Sequence, residues 1–99
     1  MKVTEMRPGD SVLGFFVLRD AAHKITTTGK PFLSAVVSDN SGSIEIKAWD
    51  YSGPIGPDDD GKVVKISGKV SEFRGSPQIS VDRLRLAEKT DVYLLSELV

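Results

Sequence analysis

The sequence contains no cysteine, which excludes a disulfide framework, a thiolate nucleophile and any zinc site built on sulfur. Its single histidine, His23, cannot make a metal site alone, and its setting in "DAAHKI" reads as a solvated strand end. No apolar run approaches the roughly 18 to 20 residues that span a bilayer. The opening "MKVTEMRPGD" has no apolar core of a secretory signal, so the expected compartment is the cytoplasm, with no membrane partner. An excess of positive charge is also missing. Thirteen Lys and Arg stand against 14 Asp and Glu, for a formal net charge of −1, whereas a protein holding nucleic acid by bulk electrostatics would be basic. Any nucleic-acid site must therefore be a local patch. No lysine follows "SGPIGP" at phosphate-loop spacing, and no base stands ready to activate a serine. Asp58, Asp59 and Asp60 read as a solvated turn, not a cation site. No catalytic residue, metal ligand or cofactor is expected within these 99 residues.

What remains is β structure. At 39% hydrophobic and 27% charged, the chain fits one domain with one modest core. Strand signals recur at intervals of about ten residues and helix signals are scarce, which predicts a small closed or sandwiched all-β domain. The first run, residues 11 to 25, is apolar on both parities: Phe15 and Val17 on one, Phe16 and Leu18 on the other. A strand shared between two parts of a barrel has that pattern, and Gly14 is the expected site of its bulge or bend. "PFLSAVVSD" and "SIEIKAWDY" flank the turn formers Asp39-Asn40-Ser41-Gly42 and so form a hairpin. In it Ile44, Ile46 and Ala48 point inward, while Glu45, Lys47 and Trp49 point outward. "SGPIGPDDDG" holds three Gly and two Pro and cannot continue a strand or a long helix. A second hairpin follows, "KVVKISGKVSEF" and "QISVDRLRL", whose parity changes near Asp82-Arg83 and predicts a bulge there.

Five strands in this order predict an OB-fold, a five-stranded Greek-key barrel, with the helix between strands 3 and 4 short or absent. An SH3-like barrel is the alternative. The domain is expected over 1–90, with 91–99, "DVYLLSELV", as the start of a linker or as a docking segment of amphipathic, short-helical character.

The elements "GKPFL", "SGSIEIKAWD" and "FRGSPQ", in that order, make the chain resemble the N-terminal OB domain of bacterial 3′-to-5′ exoribonucleases that carry a C-terminal HD-type phosphohydrolase domain. It is similar, more loosely, to simple single-stranded DNA-binding OB proteins. The resemblance implies binding of single-stranded RNA or DNA, with RNA favoured, and a downstream HD domain as a partner. It places catalysis outside this segment, because His23 has no His-Asp partner to supply the HD metal ligands.

OB-folds bind strands mainly on the outer face of strands 2 and 3, between the 1-2 and 4-5 loops. Phe32, Lys47 and Trp49 project from that face by parity. Aromatics there stack on bases and lysine meets phosphate. Lys24 and Lys30 flank the first loop, while Phe73, Arg74 and Gln78 flank the second. The two loops are expected to converge on one groove, where Arg74 meets phosphate or stacks and Gln78 reads a base edge. Arg19 is a further, more distant member. Trp49 has a competing reading as the cap of the barrel bottom under "PIGP", and Phe32 has one as a rim residue. The competing function is a protein-interaction or subunit-docking OB domain; oligomeric state is left open.

Overall fold

The computed structural model describes residues 2–51, 53–88, 91, 93 and 98. The expected helical character of 91–99 therefore lies mostly outside the described residues. Within them the predicted strands form: β1 (Ser11–Ile25), β2 (Pro31–Asp39), β3 (Gly42–Trp49), β4 (Val63–Phe73) and β5 (Ser76–Leu86). They close into one barrel in the order β1-β2-β3-β5-β4, the expected OB-fold arrangement.

β1 closes the barrel by serving two ladders. Ser11 to Val17 pair with β4, Val17 to Ile25 pair with β2, and Val17 belongs to both. This explains the apolar residues on both parities. The expected bulge at Gly14 is not there: Gly14 faces Ile66 in unbroken register. The irregularity lies between Arg19 and Ala22, where Asp20 takes φ 53. Asp is among the few residues that enter the left-handed region readily, and the Asp20 N–H donates to the Asp60 carboxylate at 3.0 Å. The bulge expected in β5 is present. Ser67 faces Arg83 and Gly68 faces Val81, which leaves Asp82 as the extra residue. Opposite it, a Cβ on Gly68 would sit 2.3 Å from the Ser80 carbonyl oxygen, so the backbones approach as only glycine permits.

Alternate residues fill the interior: Leu18, Leu33, Ile46, Ile66 and Ile79 are fully buried. Their burial, at roughly 1.5 to 3 kcal/mol each, supplies much of the drive to close the barrel. Both ends are plugged by irregular chain. A short 3-10 turn, Val3–Glu5, buries Val3 and is pinned to the β2–β3 hairpin. The Asp39 carboxylate accepts N–H bonds from Val3 at 2.9 Å, Ser41 at 2.7 Å and Gly42 at 3.2 Å. Burial pushes the Asp39 carboxyl up, but the Ser41 hydroxyl and these three N–H groups outweigh it, and the net displacement is downward.

The connection from β3 to β4 holds only a single 3-10 turn, Pro57–Asp59, in keeping with the Gly and Pro content. Its plug is Ile55, 2% exposed, whose N–H donates to the Tyr51 hydroxyl at 3.1 Å. The reading of Asp58 to Asp60 as a solvated turn fails for the middle residue. Asp59 is buried, accepting from Lys62 Nζ at 3.0 Å and the Gly56 N–H at 3.1 Å. The Lys62 bond, then the Gly56 bond, hold its carboxyl below the usual range.

Candidate nucleic-acid interface

The β2–β3 register brings outward side chains into rows: Phe32 beside Trp49, Ser34 beside Lys47, Val36 beside Glu45. Alternation forces this, because Leu33, Ala35, Ile46 and Ala48 occupy the inward positions. Trp49 is 49% exposed, and Ile55 takes the plugging role that the competing reading gave to the tryptophan. The Phe32 and Trp49 rings lie with centroids 5.0 Å apart and planes tilted by 38°, a favourable aromatic geometry. Lys47 Nζ bonds the Ser34 hydroxyl at 3.0 Å and lies 6.0 Å from the Phe32 ring centroid. One indole face and one ammonium thus stand side by side on a strand pair that is rigid from beneath.

Lys24 pairs with Phe32 across β1–β2, which extends the row to the first loop. That loop is a compact turn. Thr26 N–H donates to the Lys30 carbonyl at 2.8 Å and Gly29 N–H to the Thr26 carbonyl at 2.9 Å. Lys30 is exposed on it. At the second loop, Arg74 and Gly75 take φ 53 and 81, the pair of positive values that a two-residue hairpin turn matched to strand twist requires. Phe73 is 54% exposed, and the Arg74 guanidinium lies 5.2 Å from its ring centroid.

The two loops do not meet on one groove. β3 runs parallel to β5, with Glu45 beside Gln78, Ile46 beside Ile79 and Lys47 beside Ser80. This register sets the β4–β5 turn next to the Ser43 end of the face, while the β1–β2 loop stands at the Phe32–Trp49 end. The loops bracket the face diagonally. Gln78 is on β5, paired with Ser71, and only 8% exposed, so it belongs to the floor of the face and not to the loop. Arg19 pairs with Val36 and its guanidinium lies 3.9 Å from the Asp60 carboxylate, which draws it towards the β3–β4 connection.

Three residues on this surface escaped the site reading. Ser34 anchors Lys47, Glu45 sits exposed in the middle of the face, and Lys69 extends it through its pairing with Ser80. Outward parity was their signal. Among the described residues, Lys24, Lys30, Lys47, Lys69 and Arg74 make no ion pair, for the ion pairs present are Arg19–Asp60, Lys62–Asp59 and Arg85–Asp91. Free cations spread along this face, from the ring pair at one end to Arg74 at the other, make a local patch on a chain with no net positive charge. No group of three metal-ligating side chains occurs among the described residues, and no helix there is long and apolar enough to cross a membrane.

The family model described as "OB-fold nucleic acid binding domain" matches residues 22–87, from the β1 bend to the end of β5. The chain is 33% identical over 96 residues to the 3′-5′ exoribonuclease YhaM of Halalkalibacterium halodurans, across 92% of its own length. It spans 29% of the length of that relative. A crystal structure of a domain of replication protein A from Methanococcus maripaludis superposes with TM-score 0.71 and 26% identity, covering 90% of this chain and 96% of that one. A chain of a replication protein A heterotrimer bound to single-stranded DNA superposes with TM-score 0.63 and 22% identity, covering 82% of this chain and 59% of that one.

Proposed function

Because the chain belongs to the family of OB-fold nucleic acid binding domains, we propose that it is the single-stranded RNA-binding module of a larger 3′-to-5′ exoribonuclease. The observation that carries this reading is the exposed Trp49 ring against the half-buried Phe32 ring, with Lys47 beside them. Such a surface stacks bases of any sequence and holds their phosphates. RNA is favoured over DNA by the activity named for the 33% identical relative; a replication protein A bound to single-stranded DNA shares the fold. Catalysis belongs to the rest of the larger protein, in a downstream HD-type domain, and the whole works in the cytoplasm. The module's part is to hold a strand so that its 3′ end is delivered to that domain.

Stacking on Trp49 reports on itself. Titration with oligo(U) and oligo(dT) at low salt should quench its fluorescence, and a duplex of equal length should not. Lys24, Lys30 and Lys47 stand at the ring end of the face and Arg74 at the other, so the logarithm of affinity should fall against log salt with a slope of about −3 if a strand along the face meets all four with phosphates. No response to either oligonucleotide up to about millimolar, beyond the range of ordinary non-specific binding, would overturn the proposal.

A further inference from the structure

On the far side of the barrel the outward rows of β1, β4 and β5 make a second surface. Leu13 lies beside Ser67 and Arg83, and Phe15 beside Lys65 and Arg85. Leu13 is 69% exposed. It lines a groove of about 500 Å³ with Lys65, Ser67, Arg83, Leu84 and Arg85. Three cations therefore surround an uncovered leucine, on a face separate from the Trp49 rows.

The chain itself shows what this face accepts. Beyond β5, the Asp91 carboxylate takes both arms of the Arg85 guanidinium, at 2.7 and 3.0 Å. The Tyr93 ring then packs on Phe15 at 5.1 Å between centroids. A carboxylate followed by an apolar ring thus occupies one half of the surface. The other half, Leu13 with Ser67 and Arg83, likewise sets a cation beside an apolar side chain, Lys65 stands between the two halves, and neither Arg83 nor Lys65 makes an ion pair among the described residues.

We infer that the Leu13–Lys65–Arg83 groove is a docking surface for an acidic, apolar segment of a partner protein, which lies beside the Asp91 and Tyr93 side chains and repeats their chemistry. Charge complementarity sets the carboxylates on Lys65 and Arg83, and an aliphatic side chain covers Leu13. A nucleic acid strand fits less well. Binding without sequence preference relies on free aromatic faces, and the two rings described here, Phe15 and Tyr93, pack on one another, with Lys65 Nζ 5.8 Å from the Phe15 centroid.

The test uses the full chain, isotope-labelled for NMR, with two probes: a 12-residue peptide of alternating Asp and Leu, and a 12-nucleotide oligo(U). The peptide should shift the amides of Leu13, Ser67 and Arg83 and leave those of Phe32 and Trp49 in place. Arg83→Glu and Leu13→Ser, both at exposed positions, should each weaken the peptide by about tenfold without lowering the melting temperature. Unmoved back-face amides at millimolar peptide would overturn the inference, as would unchanged affinity in both variants. Oligo(U) shifting the back-face amides, with affinity lost in Arg83→Glu, would overturn it in favour of a nucleic-acid track. Failure of oligo(U) at Trp49 bears only on the front-face proposal.

Discussion

Trp49→Ala is the substitution that bears most directly on the front face. The indole is 49% exposed, so roughly 100 Å² of a ring worth 150 to 250 Å² is covered, and its removal costs up to about 2.5 kcal/mol of stability. That loss lowers the melting temperature but leaves the fully buried core untouched, and binding can be measured well below the transition. Affinity should fall by about 1 to 3 kcal/mol, or roughly 5- to 150-fold, the worth of one stacked base. Trp49→Phe, which keeps a ring, should retain most of the binding. The partner ring sharpens the test. Phe32 and Trp49 touch at 5.0 Å, so if one base contacts both, Phe32→Ala and Trp49→Ala together should lose less affinity than the sum of the two singles. The assay is anisotropy of a labelled oligo(U) at fixed low salt, with a thermal melt for each variant. A folded Trp49→Ala protein that binds within about twofold of the parent would refute the stacking argument.

Gly68→Ala should destabilise the fold by about 1 to 3 kcal/mol in a urea melt, because its Cβ would fall 2.3 Å from the Ser80 carbonyl oxygen. Ile55→Ala should open a cavity at the barrel bottom and cost about 2 to 5 kcal/mol, while oligonucleotide affinity measured below the melt stays unchanged. Stability should also fall in acid. Asp39, Asp59 and Asp91 all have carboxyls held below the ordinary 3.8, Asp91 chiefly by the Arg85 guanidinium. The unfolded chain therefore takes up their protons first as pH drops. Their contribution is complete above about pH 5 and is lost progressively as pH falls below 3.8 towards the folded values; a melting temperature that stays flat from pH 6 to about pH 2 would contradict it.

Alternation made the strands legible, and it also fixed the outward direction of Phe32, Lys47 and Trp49. Every one of these depends on period-two geometry, which a strand cannot evade once one side is buried. The plug was not legible in the same way. Ile55 sits in "SGPIGP", where no periodicity marks a core residue, and only the closed barrel shows the hole that it fills. Gly14 drew the bulge prediction because glycine is the usual signature. The chain instead placed it at Asp20, where the Asp60 carboxylate, in the adjoining connection to β4, receives the N–H. The arrangement of the two loops was hidden for a further reason. It follows from the parallel pairing of β3 with β5 over Glu45 to Lys47, a contact between distant segments to which parity is blind. Gln78 belongs to the same case: beside the turn, its amide suggested a reader of base edges, and the pairing of β5 with β3 and β4 buries it in the floor.

Val17 is paired in two ladders at once, facing Ser38 on one side and Val63 on the other. The one strand therefore carries Leu13 on the back surface and Lys24 beside Phe32 on the front one. That strand works as a jig. If both proposals hold, a partner on the back would stand at a set distance and angle from a strand on the front, with no change in the shape of the barrel.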